Sequence, residues 1–255
     1  MNTHQQITID QFTRQAVPFS QSLGHINDES LRFLMEAVNL TDEDIVLDVA
    51  CGTGIVACAF ASVANHVTGI DITPAMLAQA KLLAEQRSLR NLSWQQGDIE
   101  TLPFPDNSFP VVLSRYAFHH FLNPQAVLSE MVRVCRPQGR VLIADATPPP
   151  DKADVFNSFE KLFDPSHNRA LTVEEFQSLM REANLQNVRV ANYTMEMELE
   201  RHLAASFPNA GDDQKIRQLF RNDVGVDNLG VGARLQNDEI YYAYPVTVMV
   251  GEKTT

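Results

Sequence analysis

The sequence predicts an α/β fold: a mostly parallel sheet of seven strands, held between helices in three layers and closed by a helical lid. Three observations predict it. Residues 46–56, Val-Leu-Asp-Val-Ala-Cys-Gly-Thr-Gly-Ile-Val, read as a strand, a glycine turn and the start of a helix. From 45 to 146, strand-like and helix-like segments alternate, the pattern of parallel strands joined by right-handed crossovers. Polar residues stand near the ends of successive strands: Asp48, Asp71, Asp98, Ser114 with Arg115, and Asp145. Ligands of such sheets bind beyond the carboxyl ends of the strands, so these positions describe one continuous rim.

The elements follow in order. Residues 46–49 are a short apolar strand carrying one acid, Asp48. Gly52 and Gly54 make the turn; their backbone can approach a ligand closely, and the next helix offers its free N–H groups to it. Residues 55–64 contain no Gly or Pro and read as a buried helix. The β-branched run 67–72 is the second strand, with Asp71 near its end. Thr73-Pro74 caps the next helix, with Pro at its first position, and Met76, Leu77, Ala80, Lys81, Leu83 and Ala84 lie along it. The third strand, 92–96, leads to Gly97-Asp98, and 111–114 is the fourth. Asn123-Pro124 repeats the cap signal before an amphipathic helix over 126–136, which Pro137-Gln138-Gly139 stops. Residues 140–144 are the fifth strand, closed by Asp145.

After Pro148-Pro149-Pro150 the character changes. Residues 151–169 are polar and aromatic, and 172–183 form a helix capped by Thr172. Residues 188–197 alternate as a strand, 200–222 are helical with a break at 208–212, and 241–250 are a closing strand. The expected organisation is an N-terminal helical arm over 1–40, a cofactor-binding core over 41–147, and lid helices with closing strands of the same domain over 148–255.

Bulk properties narrow the function. The 255 residues suffice for one large or two small domains. No apolar run reaches the roughly 18 residues of a membrane span, and the polar first ten residues lack the apolar core of a signal peptide. A cytoplasmic protein is therefore expected, monomeric or homodimeric, with a small-molecule substrate. The net charge of −12 argues against a nucleic-acid partner, which needs a basic stripe. Cys51, Cys58 and Cys135 are far apart without CxxC spacing, so neither disulfides nor structural zinc is expected. No spacing of the HExxH kind appears, and no metal site is expected.

The cofactor follows from the rim. Asp71, 17 positions after Gly54, is placed to accept hydrogen bonds from both hydroxyls of a ribose. A nicotinamide dinucleotide site would use such an acid too, but the loop Ala50-Cys51-Gly52-Thr53-Gly54-Ile55 lacks the third glycine of GxGxxG. Asp48 can help hold a cationic amino-acid moiety, and Asp98 can accept from an adenine amino group. Adenine, ribose and an ammonium-bearing tail describe S-adenosylmethionine.

The chain resembles the class I S-adenosylmethionine-dependent methyltransferases, within them the small-molecule type that includes the ubiquinone/menaquinone-biosynthesis enzymes. Their first motif matches Leu47-Asp48-Val49-Ala50-Cys51-Gly52-Thr53-Gly54, and their second Gly69-Ile70-Asp71-Ile72-Thr73-Pro74-Ala75-Met76-Leu77. The third matches Gln96-Gly97-Asp98-Ile99-Glu100 with Leu102-Pro103-Phe104. Ser114-Arg115-Tyr116-Ala117-Phe118-His119-His120 and Arg136-Pro137-Gln138-Gly139 match the later ones. The resemblance is strong over about 40–147 and weak in the flanks. It implies the Rossmann-like sandwich and S-adenosyl-L-methionine as cofactor. It places Gly52 and Gly54 beneath the cofactor, Asp71 at the ribose and Asp98 with Ile99 at the adenine, with Ala50, Ile72 and Met76 also among the cofactor-binding residues. The backbone of Ser114 and Arg115 would meet the methionine amino group, with Gln11, Phe12 and Phe19 of the arm closing above. Three positions depart from the family pattern: Ala50 and Gln138 replace glycines, and Pro110 stands where Asp is usual.

On the acceptor side, the methyl group arrives activated, so the protein chiefly aligns donor and acceptor. A base is needed where the nucleophile must lose a proton, as with phenols, enols and acidic carbons. His119 and His120 are the base candidates, one facing the pocket and the other the protein. His167, in a polar lid run, is a second base or, with Arg169, an anion clamp. Tyr116 lines the acceptor pocket, with Phe118, Phe156, Phe159 and Phe163 as further aromatic candidates. Methyl transfer to carbon or oxygen of a phenolic, enolic or quinone-like acceptor is the expected reaction. The rivals are an NAD(P)-dependent oxidoreductase and a module or cyclase that binds the cofactor without transferring its methyl group.

Overall fold

β1 (Ile45–Val49) is buried at four of its five residues, and a strand buried on both faces belongs in the middle of a sheet. It pairs in parallel with β2 (His66–Asp71) on one side and β4 (Phe109–Arg115) on the other. β3 (Leu92–Gln96) extends the sheet beyond β2, and β5 (Cys135–Ala146) lies in parallel beyond β4. The antiparallel strands β8 (Glu239–Glu252) and β6 (Gln186–Glu198) complete the order β3-β2-β1-β4-β5-β8-β6. The computed structural model describes residues 3–20 and 28–254.

The sheet has eight strands among the described residues, not the seven expected. The additional strand, β7 (Arg234–Gln236), falls in the stretch read as lid and pairs with the start of β8. Its three residues are all exposed, so it carries no apolar alternation. Asn237 and Asp238, which join it to β8, both have positive φ (52° and 63°), the backbone of a two-residue type I′ hairpin.

Helices cover both faces. α2 (Asp28–Ala37) and α3 (Ile55–Phe60) bury Leu31, Leu34, Val56 and Phe60 against Val46, Val67, Val111 and Leu142 on one face. α5 (Pro124–Val134) and α7 (Val173–Glu182) bury Val127, Met131, Phe176 and Met180 on the other. α4 (Pro74–Gln86) follows β2, its N-terminus set by Thr73-Pro74. α3 is shorter than the helix expected over 55–64, because the chain turns after Ala61. The turn Pro137-Gln138-Gly139 is absorbed into β5. Gln138 takes φ 63°, and its N–H donates to the Lys253 carbonyl at 2.6 Å. The register of β4 and β5 slips between Phe109 and Val111, at Pro110.

A third cluster closes the carboxyl side. α6 (Ala153–Phe163), α8 (Leu199–Ser206) and α9 (Asp212–Asp223) pack Phe156, Phe159, Phe163, Leu203 and Phe220 against Tyr242 and Tyr244 of β8. α1 (Thr3–Ser20) lies near α4 and α8. No helix among the described residues is long and apolar enough to cross a membrane.

Candidate active site

The loop after β1 is built from three left-handed residues: Ala50 (φ 56°), Gly52 (φ 51°) and Gly54 (φ 76°). Asp71, at the end of the neighbouring β2, holds that loop. Its Oδ2 accepts from the Gly52 N–H at 2.8 Å and its Oδ1 from the Thr73 N–H at 2.8 Å. Burial raises the Asp71 pKa, against these hydrogen bonds, which stabilise the charged form. Asp48 is 2% exposed and its Oδ2 has no hydrogen-bond partner among the described residues. Burial, then the nearby Asp71 carboxylate, pushes its pKa to about 8, so Asp48 is mostly neutral at pH 7.

Above this loop lies a cleft of about 170 Å³. Ala50, Gly52, Asp71, Ile72, Met76, Asp98, Ile99, Arg115 and Tyr116 line it, and α1 roofs it with His4, Gln5, Thr8, Phe12 and Phe19. Asp98 is exposed; its Oδ2 accepts from Gln5 Nε2 at 3.0 Å and its Oδ1 from the Glu100 N–H at 2.9 Å. Arg115 stacks over the Tyr116 ring at 4.3 Å, and the Tyr116 hydroxyl is 2.6 Å from that of Tyr193. Helix α1 is fastened at several points. His4 Nε2 donates to the His120 carbonyl at 2.8 Å, and Gln11 and Gln15 both donate to the Ser206 carbonyl.

A second cavity, of about 90 Å³, adjoins the first. Phe12, Phe19, Tyr116 and His120 line both, so they form a shared wall. The three candidate histidines come together here. The ring centroids of His119 and His120 are 4.2 Å apart, and His167 stacks on His119 at 5.5 Å. His119 Nδ1 donates to Asp145 Oδ1 at 2.6 Å, and Asp145 is 1% exposed. This bond fixes the tautomer: a neutral His119 presents its Nε2 lone pair. Burial alone would lower the His119 pKa, but Asp145, with Glu160 and Asp164 beyond, raises it above 6.5.

The other two histidines differ. His120 Nδ1 donates to the Ser166 carbonyl at 3.1 Å. Burial and the neighbouring His119 lower its pKa to about 4. His167 Nε2 donates to Asn157 Oδ1 at 2.7 Å, while Nδ1 is buried without a partner among the described residues. Its pKa falls to about 2, through burial and then His119 and His120. Both rings are therefore neutral at pH 7.

Several expected site residues stand apart from both cavities. Asp48, Gly54 and Ser114 line neither. Arg169 also lines neither; it is a half-exposed residue whose Nη2 pairs with Glu175 Oε1 at 2.6 Å, away from any clamp. Phe118, Phe156 and Phe159 are packed in the cores, where helical spacing usually puts aromatics. Sequence reasoning missed Glu160, Asp164, His202 and Tyr244, which line the second cavity. The available signal was Glu160 itself, an acid inside the aromatic stripe Phe156, Phe159, Phe163 of α6. Among the described residues no group of three His, Cys, Asp or Glu side chains is arranged to hold a metal.

The cleft fits an adenosyl cofactor on its own geometry. A Cβ on Gly52 meets nothing within 4 Å, so the loop leaves open space where a ligand would lie, whereas a Cβ on Gly54 would come within 2.7 Å of Ala80 and Trp94. The two glycines should therefore fail differently. Gly54→Ala is expected to destabilise the fold by about 1–3 kcal/mol through overpacking, on top of the left-handed strain both positions carry, seen as a lower denaturation midpoint. Gly52→Ala is expected to cost only the left-handed strain, about 1–2 kcal/mol, while weakening S-adenosylhomocysteine binding in calorimetry.

Comparison with known proteins agrees with this geometry. Residues 47–143 match the methyltransferase-domain family. The uncharacterized methyltransferase YcgJ of Bacillus subtilis (strain 168) is 32% identical over 170 residues, covering 66% of this chain and 67% of that protein. The demethylmenaquinone methyltransferase of Thermus thermophilus is 37% identical over 128 residues, covering 48% of this chain and 58% of that protein. The chain thus spans less than two thirds of the length of that second relative. The crystal structure of the Bacillus subtilis YcgJ protein superposes with a TM-score of 0.81 at 26% identity, over 89% of this chain and 99% of that one.

Proposed function

The chain belongs to the class I S-adenosylmethionine-dependent methyltransferases, and from that premise we propose that it methylates a carbon or oxygen atom of a small phenolic, enolic or quinone-like acceptor in the second cavity. Its cofactor is S-adenosylmethionine, which when bound presents an electrophilic methyl group on a sulfonium. The protein's own residues have two tasks, to align the reactants and to take a proton from the acceptor.

Asp71 would hold the ribose, Asp98 and Ile99 the adenine, and the backbone at Arg115 the amino-acid end, with Ala50, Gly52, Ile72 and Met76 beneath. Phe12 and Phe19 on α1 would keep water from the shared wall, where donor and acceptor meet. His119 would accept the acceptor's proton on Nε2, and Asp145 would stabilise the resulting imidazolium. On this reading 41–147 is the cofactor-binding core and α1 with α6, α8 and α9 is the lid, while α2 and α7, expected in the lid segments, cover the faces of the sheet. The carrying observation is the His119–Asp145 pair at 2.6 Å in a cavity that shares a wall with the cleft. The relative acting on demethylmenaquinone leans the acceptor towards quinone type.

The test is turnover. With methyl-labelled S-adenosylmethionine and a panel of phenols, enolisable diketones and hydroquinones, label is expected in one acceptor class, with S-adenosylhomocysteine formed in equal amount. A folded protein that binds S-adenosylhomocysteine but transfers no label to any acceptor would contradict the proposal and favour a cofactor-binding module.

A further inference from the structure

The second cavity contains a carboxylate whose part in proton transfer is confined to its charge near His119. Glu160 lies on α6, and one of its oxygens, Oε1, accepts from the Tyr244 hydroxyl at 2.5 Å. Its other oxygen, Oε2, has no hydrogen-bond partner among the described residues. The neighbouring acids differ. Asp164 receives Ser166 on Oδ1 and Gln15 on Oδ2. Asp145 receives the His119 ring and the Ala146 N–H on Oδ1, and the His119 N–H on Oδ2.

The surroundings of Glu160 mix aromatic and apolar groups with His119, Asp164, His167 and His202. Phe163, Met195 and Met197 share its cavity, and Tyr244 packs edge-on against Phe156 at 5.7 Å. Burial in that wall, eased by the Tyr244 hydrogen bond and by His119, pushes its pKa to about 7. Glu160 is half-buried and its Oε2 is open to the cavity rather than sealed from it, so a ligand hydroxyl that donates to it takes the place of solvent. Glu160 lines the second cavity and not the cofactor cleft. A group bound to it is held from the α6 side of that cavity.

We propose that Glu160, braced by Tyr244, is a specificity-determining residue: its Oε2 receives the hydrogen of an acceptor hydroxyl that is distinct from the atom methylated. The proposal rests on the reading of the second cavity as the acceptor site. A hydroxyl suits the place better than an ammonium group. An ammonium would bring a positive charge near a cofactor whose sulfonium is already positive, whereas a hydroxyl satisfies the carboxylate without adding charge. The cavity has about 90 Å³, less than the roughly 150 Å³ that holds a benzene ring, so the hydroxyl belongs to the part of a small acceptor that extends into it from the shared wall.

The experiment is calorimetry on the full chain saturated with S-adenosylhomocysteine, with phenol compared against catechol, resorcinol and hydroquinone. At least one diphenol is expected to bind about ten-fold or more tightly than phenol. Glu160→Gln keeps an oxygen for Tyr244 but places an amide donor where Oε2 was, so it is expected to erase that preference and leave S-adenosylhomocysteine affinity unchanged. Tyr244→Phe keeps the carboxylate and removes its brace, so it should weaken the preference without abolishing it.

Equal binding of phenol and all three diphenols by the wild type would overturn the proposal. So would a preference that survives in Glu160→Gln. A diphenol preference that depends on Glu160 in a protein that transfers no methyl group would sink the functional reading and leave the recognition role standing.

Discussion

His119→Ala is expected to lower kcat by about 10²–10⁴-fold, the usual worth of a positioned base, while S-adenosylhomocysteine affinity stays at the wild-type value. The separation follows from geometry. His119 lines the second cavity and not the cleft, so its removal spares the cofactor. The pH profile gives an independent check. A base works only when neutral, and Asp145 holds the His119 pKa above 6.5. The rate should therefore rise with pH through a value above 6.5 and level off beyond it.

Asp145→Asn should move that rise to lower pH. The amide can still accept the Nδ1 hydrogen but no longer stabilises the imidazolium, and burial alone lowers the pKa. Its kcat loss should be smaller than that of His119→Ala. His120→Ala opens the shared wall but should leave a pH-dependent rise in rate in place, because a ring whose pKa is about 4 has little affinity for the acceptor's proton. Wild-type kcat in His119→Ala, or a profile that ignores Asp145→Asn, would remove the base assignment.

Asp71→Ala is expected to weaken S-adenosylhomocysteine binding by about 1–3 kcal/mol for the lost ribose contact alone, roughly 5- to 150-fold in Kd. The structure adds a second cost to the same change. Both Asp71 oxygens already accept backbone N–H groups, from Gly52 and Thr73, and each keeps a lone pair for a ligand hydroxyl. Removing the carboxylate thus unties the loop as well as the ribose. Asp71→Asn is not expected to rescue binding, since its NH₂ would face one of two backbone donors. Calorimetry reads both variants, and unchanged affinity in Asp71→Ala would refute the ribose assignment.

The parts of the fold visible in the sequence are those whose burial repeats. β1, β2 and β4 are apolar runs closed by turn residues, and α4 and α5 carry Pro at their starts, Pro74 and Pro124. Less visible are elements whose identity depends on pairing. β7 has three exposed residues, and its one local signal is the Asn237-Asp238 turn. β5 begins at Cys135, before a Pro-Gln-Gly run that looks like a break, because Lys253, just past β8, bonds to Gln138 and Gly139.

The site divides in the same way. Asp71 and Asp98 follow from their places at strand ends, and both line the cleft. His119 stands out as a histidine near a strand end, but its partner Asp145 lies 26 residues away and reaches it only across the β4–β5 pair. Glu160, His202 and Tyr244 come from three elements of the third cluster. Their convergence depends on how α6 and α8 pack over β8, which no local pattern records. Arg169 shows the opposite error: a charge in a polar run suggests a clamp, yet its nearest acid, Glu175, is on the next helix and takes it to the surface.

A crystal structure with S-adenosylhomocysteine and a bound acceptor tests the two-cavity account most directly. The account predicts the ribose on Asp71 and the sulfur at the wall formed by Phe12, Phe19, Tyr116 and His120, with the acceptor beyond it on the His119 side. A sulfur pointing away from that wall, or an acceptor bound outside the second cavity, would contradict it.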